Sequence, residues 1–475
     1  MNDLLRLSLI EIRNAIAEKR VSATEVTEAA LDRIDEAKDL NAVLTVDRDG
    51  ALAAAKAADE KIGRGENAGV LGGVPILVKD NISTKGVRTT CASKFIENYI
   101  PPFDATVVKK LKEAGAVILG KTNMDEFAMG SSNENSAFGP VKNAVDPTRV
   151  PGGSSGGSAS AVAAFEAYGS LGSDTGGSIR QPAAFCGVVG LKPTYSAVSR
   201  YGLIAFASSL DQIGPLTRTV ADNALLFDVI SGHDPLDSTS APAKENYIDY
   251  SLGVKGLTIG LPKEFFEQEF SPVVREKVMN AAAFYERAGA RLKEVSVSSF
   301  DAALATYYVI ACAEASSNLA RFDGVKYGER VEGADYIDTY YKSRTAGFGA
   351  EVKRRIMIGN YVLSSGYYDA YYLKASKVRT KIKADFDAAL GECDFILGPT
   401  SPTTAFEIGK KVKDVTETYM SDIFTVPVNI AGIPAISIPC GKDDKGLPVG
   451  LQLIGRAFGE KALFGAAETF EKENA

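Results

Sequence analysis

The sequence predicts an α/β fold with a largely parallel sheet. Short apolar runs alternate with amphipathic segments between residues 73 and 120, as in chains whose helices connect neighbouring parallel strands. A strand-like run at Gly256–Gly260 restarts the alternation, and short apolar runs return near the C-terminus. The chain has 475 residues, 45% hydrophobic and 24% charged, a composition typical of a soluble globular protein. No repeat or low-complexity linker divides it, so we expect a single domain over residues 1–475.

Local patterns predict the individual elements. Ser22 and Glu25 have the spacing of a capping box, which predicts a helix that continues to about Glu36. A second helix is predicted over Ala51–Ile62, and a final one near Lys461–Lys472. The remaining predictions are a helix at Val107–Glu113 and strands at Val74–Val78, Ala116–Leu119, Phe395–Leu397, Ala435–Ile438 and Val449–Leu453.

Two Gly/Ser-rich loops, residues 152–158 and 174–178, are the most informative stretch. Between them, Ala159–Ala167 predicts a packed helix followed by a short strand, which excludes a flexible linker. Glycines let the backbone approach a ligand closely, and the serines supply hydroxyl groups. Ser158 stands where a phosphate-binding loop has its lysine, so that motif is excluded. The G-x-S-x-G pattern of a nucleophile elbow fits Gly153–Gly157, but its serine needs a histidine.

The base that could activate a serine is restricted by composition. The only histidine, His233, lies in a sequence typical of a surface turn. The alternatives at neutral pH are a carboxylate or a lysine with a lowered pKa. Lys79 ends an apolar run that predicts a buried strand, and burial would lower its pKa. A lone lysine at a strand end more often extends its amine to water.

These motifs resemble the three sequence blocks of the amidase signature family. The blocks are Val78–Asp80, Gly152–Gly157 and Gly176–Arg180, with two serines 24 positions apart. The resemblance implies a central mixed β-sheet covered by helices on both faces. It also implies a catalytic triad that forms an acyl-ester intermediate and consists of the nucleophile Ser178, the relay Ser154 after a cis peptide bond, and the base Lys79. An oxyanion hole would be formed by backbone N–H groups around Thr175, Gly176, Gly177 and Ser178.

Further segments resemble one branch of this family, the A subunits of bacterial glutamyl-tRNA(Gln) amidotransferases. They include Ser208–Pro215, Tyr307–Leu319, Glu351–Met357 and Leu363–Asp369. The resemblance implies that the chain hydrolyses glutamine and passes ammonia to a B subunit, while a C subunit clasps the pair. The B subunit would use ATP and Mg²⁺ to activate Glu-tRNA(Gln), and this chain would hold no cofactor.

The same branch implies a glutamine pocket. Arg355 would bind the carboxylate and Asp422 the ammonium group, and Tyr307, Gly130 and Thr175 would line the pocket. Gly130 belongs to a polar segment after a predicted strand, where open α/β sheets bind ligands. Ser196 and Ala197 depart from the Gly-Arg pair that is common in the branch at this point. We expect the departure to affect local packing and not the chemistry.

Composition narrows the remaining classes of function. Five scattered cysteines without C-x-x-C spacing, with one histidine, argue against disulfides and a zinc site. A net charge of −7 argues against a broad nucleic-acid-binding face. No apolar stretch approaches a membrane span, and the N-terminal segment lacks a signal-peptide pattern, so we expect a cytoplasmic protein.

Eight of the 19 tyrosines lie between Tyr336 and Tyr372. Core packing is the simplest explanation, and an interface is the second. The resemblance implies that the helical, Tyr-rich segment around residues 300–390 faces the substrate or a partner subunit. Two other functions remain open: a stand-alone amidase acting on acyl, aryl or peptide amides, and a non-catalytic scaffold subunit. The presence of Lys79, Ser154 and Ser178 together argues against the scaffold.

Overall fold

The computed structural model describes residues 2–242, 246–410 and 420–474. Within these ranges, eleven strands form one sheet in the order β1-β3-β2-β4-β6-β5-β10-β11-β9-β7-β8. The strands are β1 Val43–Val46, β2 Pro75–Lys79, β3 Val117–Thr122, β4 Gly169–Asp174, β5 Val189–Lys192, β6 Gln212–Thr217, β7 Thr258–Pro262, β8 Arg291–Val295, β9 Phe395–Pro399, β10 Ala435–Lys442 and β11 Pro448–Ile454.

The sheet is mixed, and its parallel pairs lie in two separate places. Strands β3, β2 and β4 are parallel neighbours, as are β9, β7 and β8. The other six pairings of the described strands are antiparallel. The prediction of a largely parallel sheet was therefore wrong for the centre, where β10 and β11 form a hairpin, whereas the mixed sheet implied by the family resemblance is confirmed.

Helices cover the sheet. They are α1 Leu9–Ala17, α2 Ala23–Glu36, α3 Arg48–Gly63, α4 Thr106–Glu113, α5 Gly156–Ala163, α6 Arg180–Cys186, α7 Val220–Ile230, α8 Lys263–Glu267, α9 Pro272–Arg287, α10 Ala303–Asn318, α11 Tyr336–Gly347, α12 Ala350–Leu363, α13 Lys374–Glu392, α14 Val426–Ala431 and α15 Glu460–Asn474. Every residue of β2 through β6 is buried. Because successive strand residues point to opposite faces, helices and loops must cover both faces here.

The predicted elements are present, with shifted ends. The capping box at the start of α2 is formed in full by Ser22 and Glu25. The Ala-rich helix begins three residues earlier than predicted, at Gly156. Its first residues therefore come from the Gly/Ser loop itself, which places that loop at the N-terminus of α5. Strands β2 and β4 are parallel neighbours, so their C-terminal residues, Lys79 and Asp174, lie at the same edge of the sheet.

The tyrosines between Tyr336 and Tyr372 do not pack in the core. Six of the eight are exposed, and the other two are partly buried, so the core-packing explanation was wrong. We use the name Tyr-rich surface for the exposed tyrosine and apolar side chains of this region, which are Tyr336, Ile337, Tyr341, Met357, Ile358, Tyr361, Tyr367, Tyr368 and Tyr371. Part of it belongs to a short π-helix, Asp369–Leu373. The region is a helical surface and not a core layer.

The structure also bears on the expectations for the single histidine, the cysteines and membrane-spanning segments. His233 is exposed, as a surface turn requires, and its Nδ1 lies 3.3 Å from the Ser240 carbonyl oxygen. All five cysteines are free thiols, and four of them are buried. Among the described residues, no helix combines the length and apolar character needed to cross a membrane.

Candidate active site

Lys79 lies at the end of β2 with its side chain completely buried. Its Nζ atom is 2.8 Å from Ser154 Oγ and 2.8 Å from Ser155 Oγ. It also lies 2.9 Å from Ser173 Oγ and 3.3 Å from the Ser173 carbonyl oxygen. Ser173 comes from β4 and the other serines from the loop before α5, so the amine joins three segments that are distant in the sequence.

Burial governs the protonation of this amine. It lowers the pKa of Lys79 from 10.5 to about 7, although Asp125, Asp174 and Asp211 act in the opposite direction. Hydroxyl and carbonyl oxygens surround the nitrogen at hydrogen-bonding distance, but no carboxylate among the described residues forms an ion pair with it. A large fraction of neutral lysine is therefore available at neutral pH, which is what a general base requires.

The two serine loops are held against each other. The peptide bond between Gly153 and Ser154 is cis. The Ser155 N–H donates to the Ser178 carbonyl oxygen at 3.1 Å, which joins the loop before α5 to the loop after β4. Ser154 is fully buried, while Ser178 is 8% exposed. The structure thus brings Lys79, Ser154 and Ser178 to one edge of the sheet, with Ser178 the most accessible of the three.

The residues predicted for the oxyanion hole differ in their surroundings. Thr175 Oγ1 donates to Asp211 Oδ1 at 2.7 Å. A side chain on Gly176 is excluded, because a Cβ atom there would lie 2.6 Å from Tyr307 Cζ. The Gly177 N–H donates to Asp174 Oδ1 at 2.8 Å. An oxyanion role for Gly177 would therefore require that this N–H be shared between the carboxylate and the substrate.

A buried ion pair supports the Ser178 loop. Arg180 Nη2 lies 3.1 Å from Asp174 Oδ1, and both side chains are fully buried. Burial alone would raise the pKa of Asp174, but Arg180 lowers it to about 2. The same carboxylate accepts hydrogen bonds from Asn429 and from backbone N–H groups of the loop. Because its acceptors are saturated in this way, Asp174 acts as a fixed support under the nucleophile loop.

Three of the predicted pocket residues, Arg355, Tyr307 and Asp422, come from later parts of the chain. Arg355 on α12 is 4% exposed, and its guanidinium lies over the rings of Phe206 and Tyr308 at 5.4 and 5.3 Å. Tyr307 on α10 packs its ring against Gly176. Asp422, which is partly buried, lies in the turn before α14. Thr425 Oγ1 joins this turn to the nucleophile loop by donating to the Gly176 carbonyl oxygen at 2.7 Å.

Arg355, Asp422 and Tyr307 lie close enough together to change one another's pKa values. Burial raises the pKa of Asp422 to about 8, and Arg355 and a hydrogen bond from Ser131 partly offset this effect. Burial also raises the pKa of Tyr307, while Arg355 lowers it and Asp422 raises it further. A buried cation and an acidic group that is mostly protonated at pH 7 therefore lie within electrostatic range of the serine loops.

Gly130 lies against Asp125 in the loop after β3. A Cβ atom at Gly130 would lie 2.4 Å from Asp125 Cγ. The Asp125 carboxylate accepts hydrogen bonds from the N–H groups of Asn133 and Asn135, at 2.9 and 3.1 Å. The Asp125 N–H itself donates to the Ser154 carbonyl oxygen at 3.3 Å. The loop after β3 is thereby fastened to the loop that carries Ser154.

The comparison with known families agrees with this geometry. The family model described as Amidase matches residues 25–464. The chain belongs to the amidase family. The A subunit of the glutamyl-tRNA(Gln) amidotransferase from Halothermothrix orenii is 58% identical, over 99% of this chain and 98% of that protein. The corresponding A subunit from Gloeobacter violaceus is 56% identical, over 98% and 96% of the two chains.

Solved structures give the same fold. The A subunit of the glutamyl-tRNA(Gln) amidotransferase from Thermotoga maritima superimposes with a TM-score of 0.83 at 46% identity, covering 99% of this amidase and 96% of that chain. The peptide amidase from Stenotrophomonas maltophilia superimposes with a TM-score of 0.84 at 31% identity, covering 98% and 96%. The fold class predicted from the sequence, an α/β amidase with a mixed sheet, is confirmed.

Several residues of the site were missed by sequence reasoning. Asp174 was noted only as the start of a Gly/Ser loop, although an acidic residue beside a Gly-Gly-Ser turn could have suggested a support for its N–H groups. Asp125 and Asp211 accept backbone N–H groups that lie only 4 to 10 positions away in the sequence, and the sequence analysis passed over both of these local supports. Within the described ranges, no group of three or more His, Cys, Asp or Glu side chains is arranged to hold a metal ion.

Proposed function

We propose that this amidase is the glutamine-hydrolysing A subunit of a glutamyl-tRNA(Gln) amidotransferase. The observation that carries the proposal is the position of Lys79, hydrogen-bonded to Ser154 beside the Ser178 loop, together with the buried Arg355, which lowers the pKa of the acidic side chain Asp422. A cation and an acidic group suit the carboxylate and ammonium groups of a free amino acid. The two A-subunit relatives, at 56% and 58% identity, support the same function.

The chemistry begins at the amine. Neutral Lys79 accepts the proton of Ser154, and Ser154 accepts that of Ser178 as Ser178 Oγ attacks the side-chain amide carbon of glutamine. The oxyanion that forms is stabilised by backbone N–H groups of Thr175 and its neighbours, each worth roughly 2.7–4 kcal/mol. The relay then returns a proton to the leaving nitrogen, so that ammonia departs and a glutamyl ester of Ser178 remains. Water hydrolyses the ester by the reverse proton path and releases glutamate.

Substrate orientation follows from the charges. Arg355 would bind the α-carboxylate, and Asp422 in its ionised form would bind the ammonium group. Tyr307 would pack along the side chain, with Gly130 and Thr175 completing the walls. The cation and the acid lie on the later elements α12 and the turn before α14. In this proposal they hold the amino-acid end while the amide end lies at Ser178.

The partners are part of the proposal. A B subunit would receive the ammonia and use ATP and Mg²⁺ on Glu-tRNA(Gln), and a C subunit would bind both chains, all in the cytoplasm. The Tyr-rich surface is the part of this chain that we assign to a partner. Clusters of exposed aromatic side chains are typical of interfaces, and this one shares α12 with Arg355.

The test is ammonia release from glutamine and from simple neutral amides. The chain is assayed alone and with candidate B and C subunits, with Ser178→Ala as the inactive control. We expect glutamine turnover that increases when the partners, ATP and Glu-tRNA(Gln) are added. Rapid hydrolysis of simple amides by the chain alone, unchanged by these additions, would instead identify a stand-alone amidase.

Arg355→Ala tests the pocket separately from the triad. We expect the KM for glutamine to increase far more than the KM for a small neutral amide such as propionamide, because only glutamine presents a carboxylate. Equal effects on both substrates would make Arg355 a structural residue.

A further inference from the structure

The guanidinium of Arg355 is fixed by a carboxylate one helical turn away. Arg355 Nε lies 2.8 Å from Glu351 Oε1, and the side chains are 5% and 9% exposed. The two residues are four positions apart on α12, the spacing that places side chains on the same helix face. This is a buried ion pair, whose geometry is restricted far more than that of a surface pair.

Two rings restrict the same guanidinium from other directions. Phe206 and Tyr308 lie with their centroids 5.4 and 5.3 Å from Arg355 Cζ. Phe206 is itself held in place, because its N–H donates to Asp211, which also accepts the Thr175 hydroxyl. The rings restrict the position of the guanidinium, and the Nε bond restricts its rotation. A guanidinium has five N–H donors in a rigid plane, so fixing Nε fixes the direction of all of them.

The helix that carries the pair is also fastened to the catalytic side of the molecule. The N–H of Gly349, just before α12, donates to Glu126 Oε2 at 2.8 Å. Glu126 also accepts the Ser93 hydroxyl and directly follows Asp125 in the loop after β3. The start of α12 is therefore held by the loop that contains Gly130.

We propose that Glu351 is a positioning residue that sets the selectivity of this amidase for an amino-acid amide, by orienting Arg355 toward the substrate carboxylate. The proposal rests on the proposed function, in which Arg355 binds that carboxylate. Glu351 acts through Arg355 and touches neither the substrate nor the serines. It therefore governs the KM for glutamine and leaves the acyl-transfer chemistry unchanged.

The same carboxylate could also have the opposite effect on the KM for glutamine. If Glu351 mainly competed with the substrate for the guanidinium, its removal would tighten glutamine binding. We expect orientation to dominate, because Arg355 loses a fixed direction when Glu351 is removed while it remains buried. Burial alone would lower the pKa of Arg355, but Tyr308 and Glu351 raise it, so the cation persists in either case.

Arg354 provides a matched control. Its Nη1 contacts the other oxygen of Glu351, but its own side chain is 45% exposed. Arg354→Ala removes one partner of Glu351 without touching Arg355. We expect glutamine kinetics within about twofold of the wild type, because Arg354 itself is half-exposed and Glu351 keeps its contact with Arg355.

The experiment compares Glu351→Ala, Glu351→Gln and Arg354→Ala in the full chain with its partner subunits. Ammonia release is measured from glutamine and from propionamide. For Glu351→Ala we expect the KM for glutamine to increase about tenfold to a hundredfold, as when a hydrogen bond to a charged group is lost. The kcat/KM for propionamide should stay within about twofold. Glu351→Gln keeps an acceptor oxygen at the same reach and should lie between the wild type and Glu351→Ala.

The affinity for glutamine is also measured by calorimetry with each variant in the Ser178→Ala background, where no turnover occurs, and it should rank the variants as the KM does. Thermal melting shows whether each variant is folded. If Glu351→Ala does not fold, Glu351→Gln carries the test. An unchanged or lowered KM for glutamine, or equal losses on both amides, would overturn the proposal. If the proposed function itself is wrong, the wild-type enzyme will already show no preference for glutamine over propionamide, before any variant is compared.

Discussion

The pH dependence of turnover tests Lys79 most directly. With an ordinary pKa near 10.5, a lysine is neutral in about one molecule in 3,000 at pH 7. Burial lowers the pKa of Lys79 to about 7, where half of the molecules are neutral. If the neutral amine is the base, kcat/KM increases about tenfold per pH unit below pH 7 and is constant above it. At pH 6 we expect about one-tenth of the plateau value.

The assay uses a neutral amide, because glutamine adds a second titration. Burial raises the pKa of Asp422 to about 8, and its ionised form is the one that would bind the substrate ammonium. We therefore expect kcat/KM for glutamine to continue increasing through pH 8, while the value for propionamide has already levelled. A step near pH 8 that appears only with glutamine would be assigned to Asp422. A step near pH 7 that appears with both substrates would be assigned to the base, Lys79.

Three acidic groups raise the pKa of Lys79: Asp125, Asp174 and Asp211. Burial raises the pKa of Asp125 to about 7 as well, so it needs its own control. Asp125→Asn removes a negative charge near the amine and should move the propionamide profile to lower pH. A profile that loses its step in this variant would assign the step to Asp125. A wild-type profile that still increases through pH 9 would refute the lowered pKa of Lys79.

Three further substitutions have outcomes that follow from the contacts. Gly176→Ala places a Cβ 2.6 Å from buried Tyr307, so kcat for glutamine should decrease by about a hundredfold or more through displaced oxyanion donors. Arg180→Leu leaves a buried carboxylate unpaired and should cost about 3–5 kcal/mol of unfolding free energy, measured by urea denaturation. Ser196 has a φ of 81°, so Ser196→Gly should stabilise the fold by up to about 1 kcal/mol in the same assay.

The first two of these substitutions have a matched comparison. Gly366→Ala adds a methyl group where no heavy atom lies within 4 Å, and it should leave kcat unchanged. Arg20→Leu breaks an ion pair whose side chains are 59% and 61% exposed, and it should change stability by less than about 1 kcal/mol. If Arg180→Leu costs no more than Arg20→Leu, the support assigned to the buried pair is wrong. A loss of stability in Ser196→Gly would show that the serine relieves its own backbone strain.

The parts of the fold predicted correctly depend on short-range patterns. The capping box of α2 and the strand that ends at Lys79 are encoded within a few residues and are present in the structure. The antiparallel centre of the sheet was not predicted, because alternation of strands and helices does not report which strands become neighbours. The pairing of β5 with β10, for example, joins segments more than 240 positions apart.

The residues of the candidate site were also only partly predictable from the sequence. The single histidine made Lys79 a candidate base, whereas the roles of Lys79, Ser154 and Ser178 as a triad came from the family resemblance, and the structure places the three residues at one edge of the sheet. Asp125 and Asp211 were not selected, although their N–H donors are close in sequence, because their position near Lys79 arises only when separate segments of the chain pack together. The exposed tyrosines were misjudged because composition alone does not distinguish a core aromatic from a surface one.

The order of the residues along the chain has an evolutionary consequence. The groups proposed to react all precede α6, whereas the side chains proposed to hold the amino-acid end, Tyr307, Arg355 and Asp422, all follow residue 300. Changes in the later half could alter which amide is accepted while the earlier half keeps its acyl-transfer chemistry. The two halves are not independent, because Thr425 and Asn429 of the later half hydrogen-bond to Gly176 and Asp174 in the nucleophile loop. Selection for a new substrate can therefore act on side chains such as Arg355 while these supporting contacts are kept.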